Sequence, residues 1–263
     1  MSEQLLITTI DHRGVARLTM NRPELRNAFN EDVVNQICDT MGRLGNDPNV
    51  RVIVLTGAGK AFSAGADLNM MRRVAEYSSA ENKDDARRLA HMLSSIYYAP
   101  KPTVALVNGP AMGGGLGLIA ACDIAVGAEE AFFALSEVRV GLIPAVISPF
   151  VIQAIGARQA QRYFLSGERF DAATAASIGL LHETAPAAEL DRAFEAIVDN
   201  LLTCGPIATR EAKELIRSVA GRSIDDGVMK DTAERIARLR ASDEGKEGVT
   251  AFLEKRKPNW IKD

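Results

Sequence analysis

The residues of this chain that point to chemistry lie between positions 102 and 137, in PTVALVNGPAMGGGLGLIAACDIAVGAEEAFFALSE. Gly109, Gly113, Gly114 and Gly115 follow a buried-type run at 103–107 and precede an apolar segment ending at Ala121. A strand that enters a glycine-rich turn and opens a helix leaves unpaired backbone N–H groups beside the positive end of the helix dipole, a place where an anion settles. A short extended segment then leads to the carboxylate of Glu137. A second small-residue loop, Ala64-Gly65-Ala66-Asp67-Leu68, follows the apolar run at 51–56. It falls at the carboxyl end of an expected parallel strand, where open α/β sheets bind ligands. The chemistry that suits these parts is stabilisation of a transient oxyanion by backbone N–H groups, with Glu137 moving protons. Two other motifs fail near the second loop: the glycine spacing before Lys60 is too short for a phosphate-binding loop, and Ala61 stands where a nucleophile elbow around Ser63 needs glycine.

These residues need a frame to hold them. The β-rich runs at 5–10 and 15–20 flank Asp11-His12-Arg13-Gly14, which predicts a hairpin. Asn30 suits the N-cap of a helix with Val33, Val34, Ile37, Met41 and Leu44 at three- to four-residue spacing, ending at Gly45. The run at 51–56 is continuously apolar, the pattern of a strand covered on both faces in a parallel sheet. Positions 70–80 are polar and irregular or form a short helix, and further helices are predicted over 86–96, 146–155, 157–165 and 172–178. From 188 to 253 the pattern is helical, broken at Gly205-Pro206, Gly221 and Ser242. The expectation is an α/β chain with a strand-and-helix core over 1–190, followed by a helical region over 191–263 that packs against a neighbouring subunit.

Composition narrows the function classes. In 263 residues, 31 Lys and Arg against 34 Asp and Glu give a net charge of -3, without the basic footprint of a nucleic-acid partner. Cys38, Cys122 and Cys204 are far apart, with no CxxC and no nearby histidine, so reduced thiols and no metal site are expected. His12, His91 and His182 likewise lack metal spacing. The opening MSEQLLITTIDHRG has no basic start, long apolar core or small-residue cleavage site. The apolar runs fall short of the about 20 residues a bilayer span needs. A cytoplasmic setting with no membrane partner is the expectation.

At Ala64-Gly65-Ala66-Asp67-Leu68 and Asn108-Gly109-Pro110-Ala111-Met112-Gly113-Gly114-Gly115 the sequence closely resembles the crotonase (enoyl-CoA hydratase/isomerase) superfamily. The likeness continues through Asn21-Arg22-Pro23, Arg26-Asn27-Ala28, Cys122-Asp123-Ile124, Ser136-Glu137, Gly141-Leu142-Ile143-Pro144 and Phe252-Leu253-Glu254-Lys255-Arg256. It implies a ClpP/crotonase-like α/β fold: a spiral of ββα turns with a helical C-terminal region, assembled as a homotrimer or homohexamer. It also implies action on acyl-CoA thioesters, with coenzyme A as part of the substrate and no separate cofactor. By this resemblance the N–H groups of Ala66 and Gly114 form the oxyanion hole and Glu137 is the acid/base. Substrate and CoA contacts would come from Arg26, Ala28, Ala64, Asp67, Leu68, Gly113 and Gly117, with Phe252 and Lys255 supplied by a neighbouring subunit. Hydratases of the family carry two glutamates; the second falls on Glu137 and the first on Gly117, which cannot titrate.

Segments 115–118, 135–139 and 142–149 resemble members acting on methylglutaconyl-CoA or its isohexenyl analogue, in leucine or acyclic-terpene breakdown. Those substrates carry a second carboxylate, for which Arg139 is the candidate partner. The resemblance therefore implies hydration of a branched or carboxylated enoyl-CoA. Double-bond isomerisation by a single carboxylate is the alternative, and a noncatalytic crotonase-like protein is a third reading. Gly115-Leu116-Gly117-Leu118-Ile119-Ala120 also fits a dinucleotide fingerprint, but the preceding strand ends at Val107, too far upstream for the tight turn that motif needs. Asp67 is expected to fix its own loop by accepting backbone N–H bonds.

Overall fold

The computed structural model describes residues 4–261; residues 1–3 and 262–263, at the outer ends of the two regions expected from the sequence, lie outside that description. Strand β1 (Leu6–Ile10) turns back into β2 (Val15–Met20) as an antiparallel pair with Leu6 opposite Met20. Asp11 Oδ1 accepts the N–H groups of Arg13 and Val15, which closes the turn. Asn30 caps α1 (Glu31–Asn46) by accepting from the Val33 N–H, and the helix runs one residue past Gly45. After β3 (Val52–Gly57) come α2 (Leu68–Val74) and α3 (Ser79–Tyr97). Helix α3 begins seven residues before the sequence-based start at 86, because Ser78 and Glu81 form a reciprocal capping box.

The middle of the chain carries β4 (Thr103–Val107), β5 (Ala111–Met112), α4 (Gly114–Ala121), β6 (Ile124–Ala128) and β7 (Phe132–Ala134). A 3-10 turn over Glu137–Val140 precedes α5 (Ser148–Ser166), which breaks at Gly156, φ 72°, into the two helices expected from the sequence. Then follow β8 (Arg169–Asp171), α6 (Ala172–Ser177), β9 (Glu183–Ala185), α7 (Leu190–Thr203), α8 (Pro206–Val219), α9 (Asp226–Ala241) and α10 (Asp243–Leu253). Strands β5, β8 and β9 were not expected. At two or three residues each they are too short to show an alternating pattern.

Six strands form one sheet in the order β1-β2-β3-β4-β6-β9, parallel from β2 onward, and β5-β7-β8 form a small second sheet. The central strands alternate between two cores, as a doubly covered sheet requires. Ile53, Leu55, Ala105, Val107 and Ala125 face the larger core with α1, α3, α4 and α5. Val52, Val54, Val104, Leu106 and Val126 face Leu190, Phe194 and Val198 of α7. The last three helices bury little within the chain: one residue each, Lys213, Val228 and Ala251. Among the described residues no helix is long and apolar enough to cross a membrane.

Candidate active site

The loop after β3 and the turn before α4 are pinned to each other by backbone bonds. Ser63 pairs in parallel with Ala111, and the Met112 N–H donates to the Ser63 carbonyl at 2.9 Å. Phe29 pairs in parallel with Ala66: the Phe29 N–H donates to the Gly65 carbonyl and the Asp67 N–H donates to the Phe29 carbonyl. In a parallel bridge of this kind the bonds go to the residues flanking the bridged one, so the Ala66 N–H is directed away from Phe29 and has no partner among the described residues. On the other side, the Gly113 N–H donates to the Ala134 carbonyl at 2.9 Å. Gly114 is the first residue of α4, so its N–H has no partner within the helix.

The backbones that carry Ala66 and Gly114 lie close together because they pack without side chains between them. Gly65, at φ 83°, could not carry a Cβ: it would stand 2.7 Å from the Met112 carbonyl oxygen and 3.2 Å from the Gly114 nitrogen. A Cβ on Gly114 would stand 2.5 Å from Phe29 Cζ. Ala66 and Gly114 thus line one cavity of about 180 Å³, together with Phe29, Met92, Leu93, Ile147 and Glu137.

Glu137 opens the 3-10 turn after β7, and its side chain reaches back to α4: a Cβ on Gly113 would lie 3.0 Å from Glu137 Oε1. Its Oε2 is buried and has no hydrogen-bond partner among the described residues. Burial pushes the carboxyl above its usual range, opposed by its own backbone N–H. Buried polar atoms are almost always paired, so an unpaired carboxylate oxygen on a residue that lines a cavity is a candidate for a ligand contact or a proton transfer.

The profile of the enoyl-CoA hydratase/isomerase family matches residues 11–263. The chain belongs to that family. A solved enoyl-CoA hydratase from Shewanella pealeana superposes with a TM-score of 0.94 at 42% identity, covering 98% of this chain and 96% of that one. A hydroxycinnamoyl-CoA hydratase-lyase from Pseudomonas fluorescens is 37% identical over 205 residues, 76% of this chain and 74% of its own. A 2,3-dehydroadipyl-CoA hydratase from Escherichia coli is 32% identical over 248 residues, 94% of each chain. The fold is the crotonase fold expected from the sequence.

In this crotonase-fold chain the remaining site candidates fall into three groups. Arg26, Ala28, Ala64 and Asp67 build the wall behind Ala66. The Ala64 N–H donates to the Arg26 carbonyl at 2.9 Å, while the Arg26 side chain is exposed. Asp67 caps α2 by accepting from the Asn69 and Met70 N–H groups and pairs with Arg22 at 2.8 Å. Burial alone would raise the Asp67 carboxyl, but the Asn69 N–H, the Arg22 guanidinium and the Met70 N–H outweigh it and hold it below the usual range. Leu68, Phe252 and Lys255 are exposed and are not among the residues that line the cavity. Gly117 is buried under Ile147, whose side chain, not the glycine, faces the cavity. Arg139 also stays out of the lining: its Nε would be 3.2 Å from a Cβ on Gly167.

Two scaffold residues carry more than the sequence reading gave them. Arg22 donates to the Ala28 carbonyl at 2.6 Å as well as to Asp67, tying the loop before α1 to the loop that presents Ala66. Asn27, at φ 55°, donates from Nδ2 to the carbonyls of Ala58 and Ala61 and accepts the Arg22 N–H. A signal for Asn27 existed, since asparagine is one of the few residues that tolerate the left-handed region.

Proposed function

We propose that this chain is an enoyl-CoA hydratase that adds water across the 2,3 double bond of an acyl-CoA thioester. The observation that carries the reading is the half-buried Glu137, whose buried Oε2 is unpaired among the described residues, in one cavity with Ala66 and Gly114. The thioester oxygen accepts from the two free N–H groups, beside the positive end of α4. Ionised Glu137 takes a proton from water as its oxygen bonds to C3, and the double-bond electrons move onto the thioester oxygen. The enolate then collapses, and Glu137 returns the proton to C2. Burial matches the carboxyl to both tasks by bringing its pKa toward that of a usable acid.

The acyl chain that suits the cavity is short or branched and apolar. The volume, about 180 Å³, is below the roughly 300–1,000 Å³ of clefts that take a whole drug-sized ligand, so it suits the acyl end alone. Phe29, Leu89, Met92, Leu93, Val146 and Ile147 supply the walls, and no Arg or Lys is among the lining residues. A carboxylated chain of the methylglutaconyl type would therefore need a cation from outside this lining. The exposed Phe252 and Lys255, with apolar Ile216, Ile236, Val249 and Leu253 also exposed, support assembly as a homotrimer or homohexamer that brings them to a neighbour's CoA.

A 1,3-proton shift is the second reading, because Glu137 is the one carboxylate in the lining among the described residues. Both are tested with plain, branched and carboxylated enoyl-CoA thioesters assayed for water addition and for double-bond shift. Glu137→Gln is expected to lower turnover at least about a hundredfold with acyl-CoA binding retained. Double-bond shift without water addition makes the chain an isomerase, and near-normal turnover in Glu137→Gln removes Glu137 from the chemistry.

A further inference from the structure

We propose that Ile147 walls the acyl cavity on the α4 side and so limits the length of the acyl chain that the site accepts. The inference rests on the acyl-CoA reading above. Gly117 lies inside α4 and is buried, where glycine is disfavoured relative to alanine. An ideal Cβ on it would lie 2.8 Å from Ile147 Cβ, closer still to Cγ2, and 3.5 Å from Leu93 Cδ2. Ile147 in turn occupies the N-cap of α5, where Ser, Thr, Asp and Asn are preferred, and makes no cap hydrogen bond there. Each residue is a poor local choice, and each is accounted for by the other. The bare backbone at Gly117 admits the branched side chain, which then stands between that backbone and the cavity it lines with Leu93. Local rules broken in pairs at a cavity wall mark a feature kept for function.

Cutting Ile147 to alanine removes three carbons and opens the cavity toward Gly117. A methylene gained or lost in an apolar pocket changes discrimination by about 10–200-fold. The test is binding of butyryl-, hexanoyl- and octanoyl-CoA, saturated thioesters that cannot react, to the parent chain, Ile147→Ala and Ile147→Val by calorimetry. The ratio of octanoyl to butyryl affinity is expected to rise at least about tenfold in Ile147→Ala and by less in Ile147→Val, with free CoA binding unchanged. An unchanged ratio in Ile147→Ala overturns the proposal. If that variant does not fold, Ile147→Val decides: any clear rise supports the wall and none overturns it. A second arm needs no ligand. Gly117→Ala is expected to lower Tm because its methyl meets Ile147, despite alanine's better helix propensity, and an unchanged or higher Tm overturns the proposal. A parent chain that binds none of the three thioesters, with Gly117→Ala still destabilised, defeats the acyl-CoA reading and leaves the contact between the two residues standing.

Discussion

One methyl group added at Gly114 tests the oxyanion hole directly. Its carbon would stand 2.5 Å from Phe29 Cζ and 3.4 Å from Cε1. Non-bonded carbons rest at about 3.5–4.0 Å, so either Phe29 or the start of α4 must move by roughly 1 Å. Phe29 is buried, and its N–H and C=O are committed to Gly65 and Asp67, the residues on either side of Ala66, so a shift of its backbone carries Ala66 with it. Either movement therefore shifts one N–H donor relative to the other. Losing one such donor costs about 2.7–4 kcal/mol of barrier, or about 10²–10³-fold in kcat. Crowding of this kind costs about 1–3 kcal/mol of stability, which a folded domain survives. The assay is loss of the conjugated enoyl-thioester absorbance, with KM and Tm measured beside it. Gly114→Ala is expected to lose about 10²–10³-fold in kcat while remaining folded, and Phe29→Leu in the same chain is expected to restore part of that loss. Near-parental kcat in Gly114→Ala would refute the reasoning, since a displaced donor would then not matter to the chemistry. So would a Gly114→Ala loss that Phe29→Leu leaves untouched.

Two further outcomes follow from the charges around the cavity. The Glu137 carboxyl is raised by burial, so the stability it lends in its neutral form is complete below the unfolded pKa and is lost as pH rises through the folded one. Glu137→Gln is therefore expected to melt above the parent at neutral and alkaline pH and close to it in acid, by calorimetry across pH; a parent that is the more stable above neutrality contradicts the burial. Arg22 faces a carboxylate with which it shares a nearly dry site, so Arg22→Ala strands the Asp67 charge and is expected to cost about 3–5 kcal/mol by denaturant unfolding. Asp67→Asn in the same chain is expected to return part of that, and a cost under about 1 kcal/mol would place the pair among ordinary surface ion pairs.

Most of the frame could be read from the sequence because the signals were long or strongly typed. The strand at Thr103–Val107 has the bounds of its apolar run, the Asn30 cap falls where side-chain chemistry places it, and the break at Gly156 lies between the helices predicted over 146–155 and 157–165. Helix α3 was started too late because its first turns are charged and show no apolar stripe, although Ser78 and Glu81 already had the spacing of a capping box. Within the site, the two small-residue loops and Glu137 were legible, and the structure puts all three on one cavity. The cover over Gly117 was not, because a glycine records that something approaches without recording what. Ile147 lies 30 positions away, and only the packing of α4 against α5 brings the two together. Arg139 is the opposite case: it lies two positions from Glu137 in the same 3-10 turn, yet its side chain lies along Gly167 and is not among the lining residues.

Three departures from local rules meet at one cavity. Glu137 is a half-buried carboxyl whose buried Oε2 is unpaired among the described residues, Gly117 is a glycine in the interior of a buried helix, and Ile147 is a branched apolar residue at a helix cap. Glu137 and Ile147 line the same small cavity, and Gly117 lies directly behind Ile147. Each break also acts in one direction. The apolar lining leaves Glu137 few polar neighbours, burial raises its carboxyl, and on the proposed function a raised carboxyl both accepts and returns a proton more evenly. On the proposed function, the apolar residues packed over Gly117 and the raised carboxyl at 137 are one arrangement. A glutamate placed at 117 would have to displace Ile147 and bring a charge into the apolar lining beside Glu137.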